Sequence, residues 1–187
     1  MNSVTIKPTK QDLQAAVEKT ISDVIAPDLK VLFCGINPGL YSGATGHHFA
    51  RPGNRFWKTL HAAGFSQKLL APQEQNELLK NGYGITNICE RTTARADELT
   101  TEEIVAGGAK LRAKVLRFQP KVLAVLGITT YRIAFNHPKA VLGLQSERIG
   151  ETRIWVLPNP SGLNAHYQAN DLAELFRRLR ETIENEK

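Results

Sequence analysis

The sequence predicts an α/β protein, a three-layer αβα fold around a central, mostly parallel, four-stranded sheet. Short apolar runs without alternation, typical of strands buried on both faces, alternate with longer helical patterns. The chain has 187 residues, 42% of them hydrophobic, which fits one domain with a normal core. No internal repeat or low-complexity linker interrupts the alternation. We therefore expect a single domain over residues 1–187, with residues 1–24 as an N-terminal helical extension.

The first half of the chain predicts two strands and three helices. Thr9 and Asp12 mark the start of a helix whose apolar positions continue to Ile25. The run Val-Leu-Phe-Cys at residues 31–34 predicts the first strand. The other elements of this half are a helix after the candidate N-cap Asn54, a short helix over residues 72–80, and a second strand over residues 83–88.

The second half opens with a specific helix-start signal. Thr100 and Glu103 form a capping box, and Leu99 with Ile104 can form the hydrophobic staple around it. This helix should end near Phe118. The elements that follow are a strand over residues 122–127, a helix over residues 130–135, a strand over residues 154–157, and an amphipathic helix that begins at Asn170.

Charge and composition limit the classes of partner and cofactor. The net charge of +6 and the pI of about 9.4 permit a polyanionic partner such as DNA. No apolar run approaches the roughly 20 residues that a membrane span needs, and the first ten residues are polar, so we expect a cytoplasmic protein. Cys34 and Cys89 lack a Cys-x-x-Cys spacing, and the adjacent His47 and His48 point apart. We therefore expect neither a metal nor another cofactor.

Two of the predicted strands end in similar turns. Asn-Pro-Gly at residues 37–39, the first turn, follows the first strand, and Asn-Pro-Ser-Gly at residues 159–162, the second turn, follows the last. In a parallel sheet both turns lie at the same edge, where α/β proteins bind ligands. The polar side chains of the turns are therefore candidates for chemistry, although Asn37 could instead cap its own turn.

The turns and their flanking residues resemble the first and second motifs of the mismatch-specific uracil-DNA glycosylases, the thymine-DNA glycosylase branch of the uracil-DNA glycosylase superfamily. The matching stretches are Gly-Ile-Asn-Pro-Gly-Leu at residues 35–40 and Asn-Pro-Ser-Gly-Leu at residues 159–163. Residues 54–58 and 84–87 are also similar, and the resemblance runs from about residue 25 to about residue 179.

The resemblance implies a monomeric DNA glycosylase of base excision repair. It would flip uracil or a related damaged pyrimidine out of a mismatched G·U duplex and hydrolyse the N-glycosidic bond, without strand cleavage. A second hypothesis is a protein that binds mismatches or abasic sites with little catalysis. Measurable base release separates the two.

The resemblance also implies roles at the first turn. Asn37 resembles the asparagine that positions the attacking water, and because a neutral amide is a weak base we expect slow turnover. Backbone N–H groups near Ile36 would bind the carbonyl edge of the base, and the Ser42 hydroxyl could approach it. Phe49 resembles the aromatic residue on which the flipped base stacks, and its alternative is a core aromatic. Gly39 stands where strictly uracil-specific relatives have a tyrosine. Glycine at this position would leave the pocket open to substituted pyrimidines.

At the second turn, Asn159 stands where highly active relatives have a histidine that binds the leaving base. Ser161 and Gly162 shape a loop that can bind phosphate, and Leu163 resembles the wedge that fills the vacated base stack. A contact under the final helix is the alternative for Leu163. Asp97, in the polar loop after the second strand, could act as a base in place of Asn37, or it could cap the next helix or stay solvated.

Overall fold

The fold is built on a five-stranded sheet. A computed structural model of the chain describes residues 7–185. The strands are β1 (Val31–Gly35), β2 (Tyr83–Asn87), β3 (Val122–Leu126), β4 (Gly143–Ile149) and β5 (Thr152–Leu157). Their order in the sheet is β2-β1-β3-β5-β4, and the first four pair in parallel, while β4 pairs antiparallel with β5.

Helices cover both faces of the sheet. They are α1 (Lys10–Gln14), α2 (Leu40–Thr45), α3 (Phe56–Ala62), α4 (Glu77–Lys80), α5 (Thr101–Phe118), α6 (Ile128–Ala134) and α7 (Ala169–Glu184). Short 3-10 turns form at Pro72–Glu74 and Ala96–Glu98. Over residues 7–185, no helix is both long enough and apolar enough to cross a membrane.

The side chains of β1 divide the core into two halves. Val31 and Phe33 pack in one cluster with the buried residues of α3 and α7, whereas Leu32 and Cys34 pack in the other with those of α5. All four are fully buried, because successive side chains of a strand point to opposite faces of the sheet. This double burial explains why the sequence of β1 is apolar without alternation.

The predicted α/β fold with a mostly parallel sheet is confirmed, and its four predicted strands are β1, β2, β3 and β5. The edge strand β4 was not predicted, so the sheet has five strands. Its sequence, Gly-Leu-Gln-Ser-Glu-Arg-Ile, contains no apolar run, because most of this edge strand is half-buried or exposed. The predicted capping box is also confirmed, with Thr100 Oγ1 accepting from Glu103 N at 3.2 Å and Thr100 N donating to Glu103 Oε2 at 2.9 Å.

The predicted long N-terminal helix is wrong. The helix ends at Gln14, and Glu18 adopts a left-handed backbone conformation with φ 66°. Tertiary contacts replace the helix: Glu18 N donates to Thr92 O at 3.1 Å, and Val24 forms an antiparallel bridge with Ile85. The apolar spacing therefore reflects burial of an irregular segment. Residues 1–6 of the predicted extension lie outside the described residues.

The topology places a crevice beside β1. This strand lies between β2 and β3, so the chain passes from β2 across β1 to reach β3. In open α/β sheets the carboxyl edge at such a point is where ligands bind. The first turn follows β1 directly, and the second turn follows β5 at the same edge.

Candidate active site

A cavity of about 330 Å³ opens at this edge of the sheet. Its volume falls in the range of small-molecule sites. The predicted site residues that line it are Ile36, Asn37, Gly39, Ser42, Phe49, Asp97, Asn159, Ser161 and Leu163. Gly162 lines an adjoining groove of about 250 Å³, which shares Ser161 and Leu163 with the cavity. The structure thus brings both turns and the Asp97 loop to one place.

The side-chain amide of Asn37 is held in one orientation. Its Nδ2 lies 2.9 Å from Arg91 O, 2.8 Å from Thr93 Oγ1 and 3.2 Å from Pro38 O, so its two hydrogens are shared among three acceptors. The Thr93 hydroxyl donates its own hydrogen to Arg95 O at 2.7 Å, so towards Asn37 it can only accept. Because all three partners are acceptors, the nitrogen must face them, and Oδ1 remains available to accept a hydrogen bond.

The loop that holds Asn37 is itself anchored to α5. The Arg91 guanidinium donates to both carboxylate oxygens of Glu103, at 2.7 and 3.0 Å, and to Glu18 at 2.8 Å. Arg91 lowers the pKa of the Glu103 carboxyl and so keeps it ionised. Since Glu103 also caps α5 through Thr100, the position of the Asn37 amide depends on a bidentate ion pair and a helix cap.

Phe49 connects the cavity to the core. It adopts φ 52°, a conformation that is rare for a bulky residue. Its ring stacks on Phe56, with centroids 4.0 Å apart and planes inclined by 24°. At the end of β1, a Cβ on Gly35 would lie 3.2 Å from the Phe49 ring and 2.6 Å from Asn87 Oδ1. Glycine at residue 35 therefore lets both side chains approach the strand closely, and Phe49 combines a core contact with a place at the cavity wall.

Three residues of the first turn and its surroundings shape the cavity wall. The buried Ser42 hydroxyl accepts from Ala50 N at 3.3 Å, which ties α2 to the segment carrying Phe49. The Ile36 carbonyl accepts from Cys89 N at 2.9 Å. At Gly39 a Cβ would meet no atom within 4 Å, so this side of the cavity is open.

A buried histidine lies behind Phe49. His48 Nε2 is 3.0 Å from Ser22 O, and its Nδ1 is 3.4 Å from Asn87 Nδ2. A carbonyl oxygen only accepts, so we assign the hydrogen to Nε2 and the acceptor role to Nδ1. Burial lowers the pKa of His48, which favours the neutral ring that this pattern requires. Neutral His48 then holds the Asn87 amide at the cavity wall.

Asp97 lies at the exposed rim of the cavity. Its side chain is 62% exposed and forms a two-point ion pair with Arg95, with Arg95 Nε at 2.9 Å from Oδ1 and Nη2 in contact with Oδ2. The hydrogen bond from Arg95 holds the pKa of the Asp97 carboxyl below its usual range. A carboxylate with a lowered pKa accepts a proton poorly, so this arrangement disfavours Asp97 as a general base.

At the second turn, the side chain of Asn159 caps the backbone. Its Oδ1 accepts from Ser161 N at 3.0 Å, an Asx turn, and its backbone carbonyl accepts from Asn164 Nδ2 at 3.0 Å. A backbone N–H can only donate, so the oxygen of the amide must face the turn, and Nδ2 is left to donate elsewhere. Leu163, two residues beyond Ser161, is 76% exposed and is not a contact under α7.

The sequence predictions missed several residues that build this site. Asn87 ends β2 at the same edge as the two turns, and that position was a signal that could have identified it. Arg91 and Thr93 act through contacts with Asn37 that span more than 50 residues, and Arg55 contacts the second turn across more than 100. No local pattern in a single sequence reports such contacts.

Together, the fold and the cavity define an α/β protein with a cavity between two Asn-Pro turns at the carboxyl edge of the sheet, the edge where open α/β sheets bind ligands. Within residues 7–185, no three His, Cys, Asp or Glu side chains are grouped to hold a metal ion.

The structure is similar in fold to a solution NMR structure from Methanosarcina acetivorans, described as a candidate uracil DNA glycosylase. The TM-score is 0.57 at 18% identity, over 88% of this chain and 99% of that one.

A sequence model of the uracil DNA glycosylase superfamily matches residues 22–182. The chain belongs to this superfamily. Membership supports the general class of a hydrolase that excises uracil from DNA.

Proposed function

We propose that the protein is a monofunctional DNA glycosylase that excises uracil and related damaged pyrimidines from mismatched G·U duplex DNA. The observation that carries this proposal is the fixed amide of Asn37. Its NH₂ group is bonded to Arg91 O and Thr93 Oγ1, which leaves its oxygen available at a cavity of about 330 Å³. Superfamily membership supports the same reaction class.

In the proposed mechanism, the first turn contacts the attacking water and the second turn contacts the leaving base. Asn37 Oδ1 accepts a hydrogen bond from a water and holds it beneath the anomeric carbon, while the sugar develops oxocarbenium character. As the glycosidic bond breaks, the electron pair leaves with the base, and Asn159 Nδ2 donates to the base oxygen that gains charge. Both groups are neutral amides, so neither takes a proton effectively, and we expect slow turnover.

Phe49 would supply the surface on which the extrahelical base stacks, with its ring supported from behind by Phe56. The backbone N–H of Ile36 is suited to the base carbonyl edge, because none of the described residues accepts a hydrogen bond from it. Gly39 leaves the wall open where a substituent on the pyrimidine would extend. Ser42 acts through the loop that it ties to α2.

The second turn would contact the duplex. Leu163 is exposed at the loop tip and would enter the stack vacated by the flipped base, while Ser161 and Gly162 would approach the phosphates. Arg51 is exposed and lines both the cavity and the adjoining groove, so it is placed to neutralise a phosphate there. We expect the protein to act on double-stranded DNA as a cytoplasmic monomer that folds as a single domain.

The second candidate is a protein that binds mismatches or abasic sites with little catalysis. The observation that favours it is that both turns present neutral amides at the cavity, and neither Asn37 nor Asn159 can ionise. In that case the wedge and the base cavity would serve recognition alone.

Single-turnover base release distinguishes the two functions. The substrates are duplexes that carry U·G, U·A or T·G, and single-stranded DNA that carries uracil, with a C·G duplex as the control. The glycosylase proposal predicts release of uracil from U·G faster than from U·A, with the strand intact until alkali is added. No release from any substrate, together with retained binding to a duplex with an abasic site, would establish the binding-only function.

A further inference from the structure

We propose that Arg55 is a positioning residue that holds the Leu163 loop, residues 160–167, in the conformation that enters DNA. This inference deepens the proposed function and rests on it, because it assigns a purpose to the exposed loop tip. Arg55 lies just before α3, far from the second turn in sequence, and its side chain reaches across to that loop.

The guanidinium of Arg55 is bonded to four backbone carbonyls of the Leu163 loop. Nη1 donates to Tyr167 O at 2.6 Å, and Nη2 donates to Ser161 O at 2.7 Å and to Asn164 O at 2.9 Å. Nε lies 3.4 Å from Pro160 O, and the backbone N–H of Arg55 donates to the same carbonyl at 3.1 Å. The contacts therefore span the loop from its first residue to its last.

This segment contains neither helix nor strand, so its carbonyls have no regular partners. A planar guanidinium offers five N–H donors in a fixed geometry, which suits several carbonyls that converge on one point. Arg55 forms no ion pair with any carboxylate among residues 7–185, and its guanidinium contacts within that range are all to carbonyls of the loop. A loop held in this way loses less conformational entropy when it binds.

The start of α3 also supports the base cavity. Phe56, the residue after Arg55, is fully buried, and its ring stacks on Phe49 at the cavity wall. Adjacent residues thus hold the proposed stacking surface and the proposed wedge. Gly162 completes the arrangement, because a Cβ there would lie 2.5 Å from Gly53 O, so the loop packs directly on the segment that precedes α3.

Hydrogen exchange tests the contact without reference to activity. In Arg55→Lys, which keeps the charge but loses the guanidinium geometry, we expect backbone amides within residues 161–167 to exchange about tenfold faster than in the wild type. Amides of β5 and α7 should be unchanged. The matched control is Arg132→Lys, because Arg132 likewise donates to a backbone carbonyl, Ala140 O at 2.7 and 3.0 Å, away from the cavity. Unchanged exchange in the loop of Arg55→Lys would overturn the proposal.

A double-mutant cycle tests whether Arg55 acts through Leu163. We expect Arg55→Lys and Leu163→Ala each to lower single-turnover release from a U·G duplex by roughly tenfold, and the double variant by about the same tenfold. A roughly hundredfold loss in the double variant would mean independent effects and would overturn the coupling. If the wild type releases no base, the proposed function fails, and the exchange experiment still decides whether Arg55 holds the loop.

Discussion

The two Asn-Pro turns begin with the same dipeptide but present opposite ends of the asparagine amide. At the first turn, Asn37 directs its NH₂ group to Arg91 O and Thr93 Oγ1, so that its oxygen is left to accept. At the second turn, Asn159 uses its oxygen to accept from Ser161 N, so that its NH₂ group is left to donate. In the proposed mechanism, the first turn would hold the water and the second would stabilise the departing base.

The difference shows that the partners, and not the residue type, decide what an asparagine offers to a cavity. A carbonyl and a hydroxyl of a distant loop orient Asn37, whereas a backbone N–H two residues away orients Asn159. The glycines of the turns differ in the same way: Gly39 borders open space, and Gly162 lies against Gly53 O. Each difference can be tested by substitution.

Removal of the Asn37 amide should have the largest effect. In Asn37→Ala we expect the single-turnover rate on a U·G duplex to fall roughly 100-fold or more, because the water loses its acceptor. Binding to a duplex with an abasic site should be retained. The exposed Asn81 provides the control, and Asn81→Ala should react like the wild type. A rate within threefold of the wild type in Asn37→Ala would remove Asn37 from the mechanism.

A change at Asn159 should have a smaller effect. Asn159→Asp keeps an oxygen for Ser161 N but replaces the donor with a negative charge beside the leaving base. We expect a loss of about 10- to 100-fold in single-turnover rate, comparable with the loss of a hydrogen bond to a charged group. Asn159→Ala, which removes both ends of the amide, provides the comparison. If Asn159→Asp retained full activity, the role of Asn159 would be limited to capping the turn through its oxygen.

The two glycines should respond differently to the same added methyl group. In Gly162→Ala the Cβ would meet Gly53 O at 2.5 Å and displace the Leu163 loop, so we expect roughly a tenfold slower release from a U·G duplex. Gly39→Ala is the matched control and should stay within about twofold of the wild type, because its Cβ meets nothing. Equal effects at the two positions would contradict the observed packing.

Asp97 should have the smallest effect. Because Arg95 lowers the pKa of its carboxyl, Asp97 is ionised throughout the range from about pH 5.5 to 8.5 and takes up no proton there. We therefore expect Asp97→Asn to release uracil within about twofold of the wild type, with a parallel pH profile. A wild-type rate that rises with pH, coupled with a flat and much lower rate in Asp97→Asn, would show that Asp97 is the base.

Elements with strong local signals were predicted from the sequence. The buried strands β1 and β3 are continuous apolar runs, and α5 starts at a capping box and ends at Phe118, as expected. Local signals failed where tertiary contacts decide the structure. Helical spacing after Gln14 belongs to an irregular segment tied to the loop after β2, and the edge strand β4 carries too few apolar residues to be recognised.

For the site, the sequence predicted where the main residues lie but not how their side chains are oriented. The strand ends brought Asn37, Asn159 and Leu163 to one edge, as expected from parallel topology. The alternative hypothesis from the sequence was that Asn37 caps its own turn. In the structure it is the side-chain oxygen of Asn159 that caps its own turn. The orientation of Asn37 depends on the backbone carbonyl of Arg91, 54 residues away, which no spacing rule predicts.

The opposite orientation of the two amides can be measured directly by NMR, through exchange of the side-chain NH₂ hydrogens with water. Asn37→Ala and Asn159→Ala would assign the two signals. We expect the NH₂ hydrogens of Asn37 to exchange more slowly, since Arg91 O and Thr93 Oγ1 accept from them, and those of Asn159 to exchange rapidly at the open cavity. The reverse order would contradict the account, because Asn37 would then present its nitrogen, not its oxygen, to the cavity.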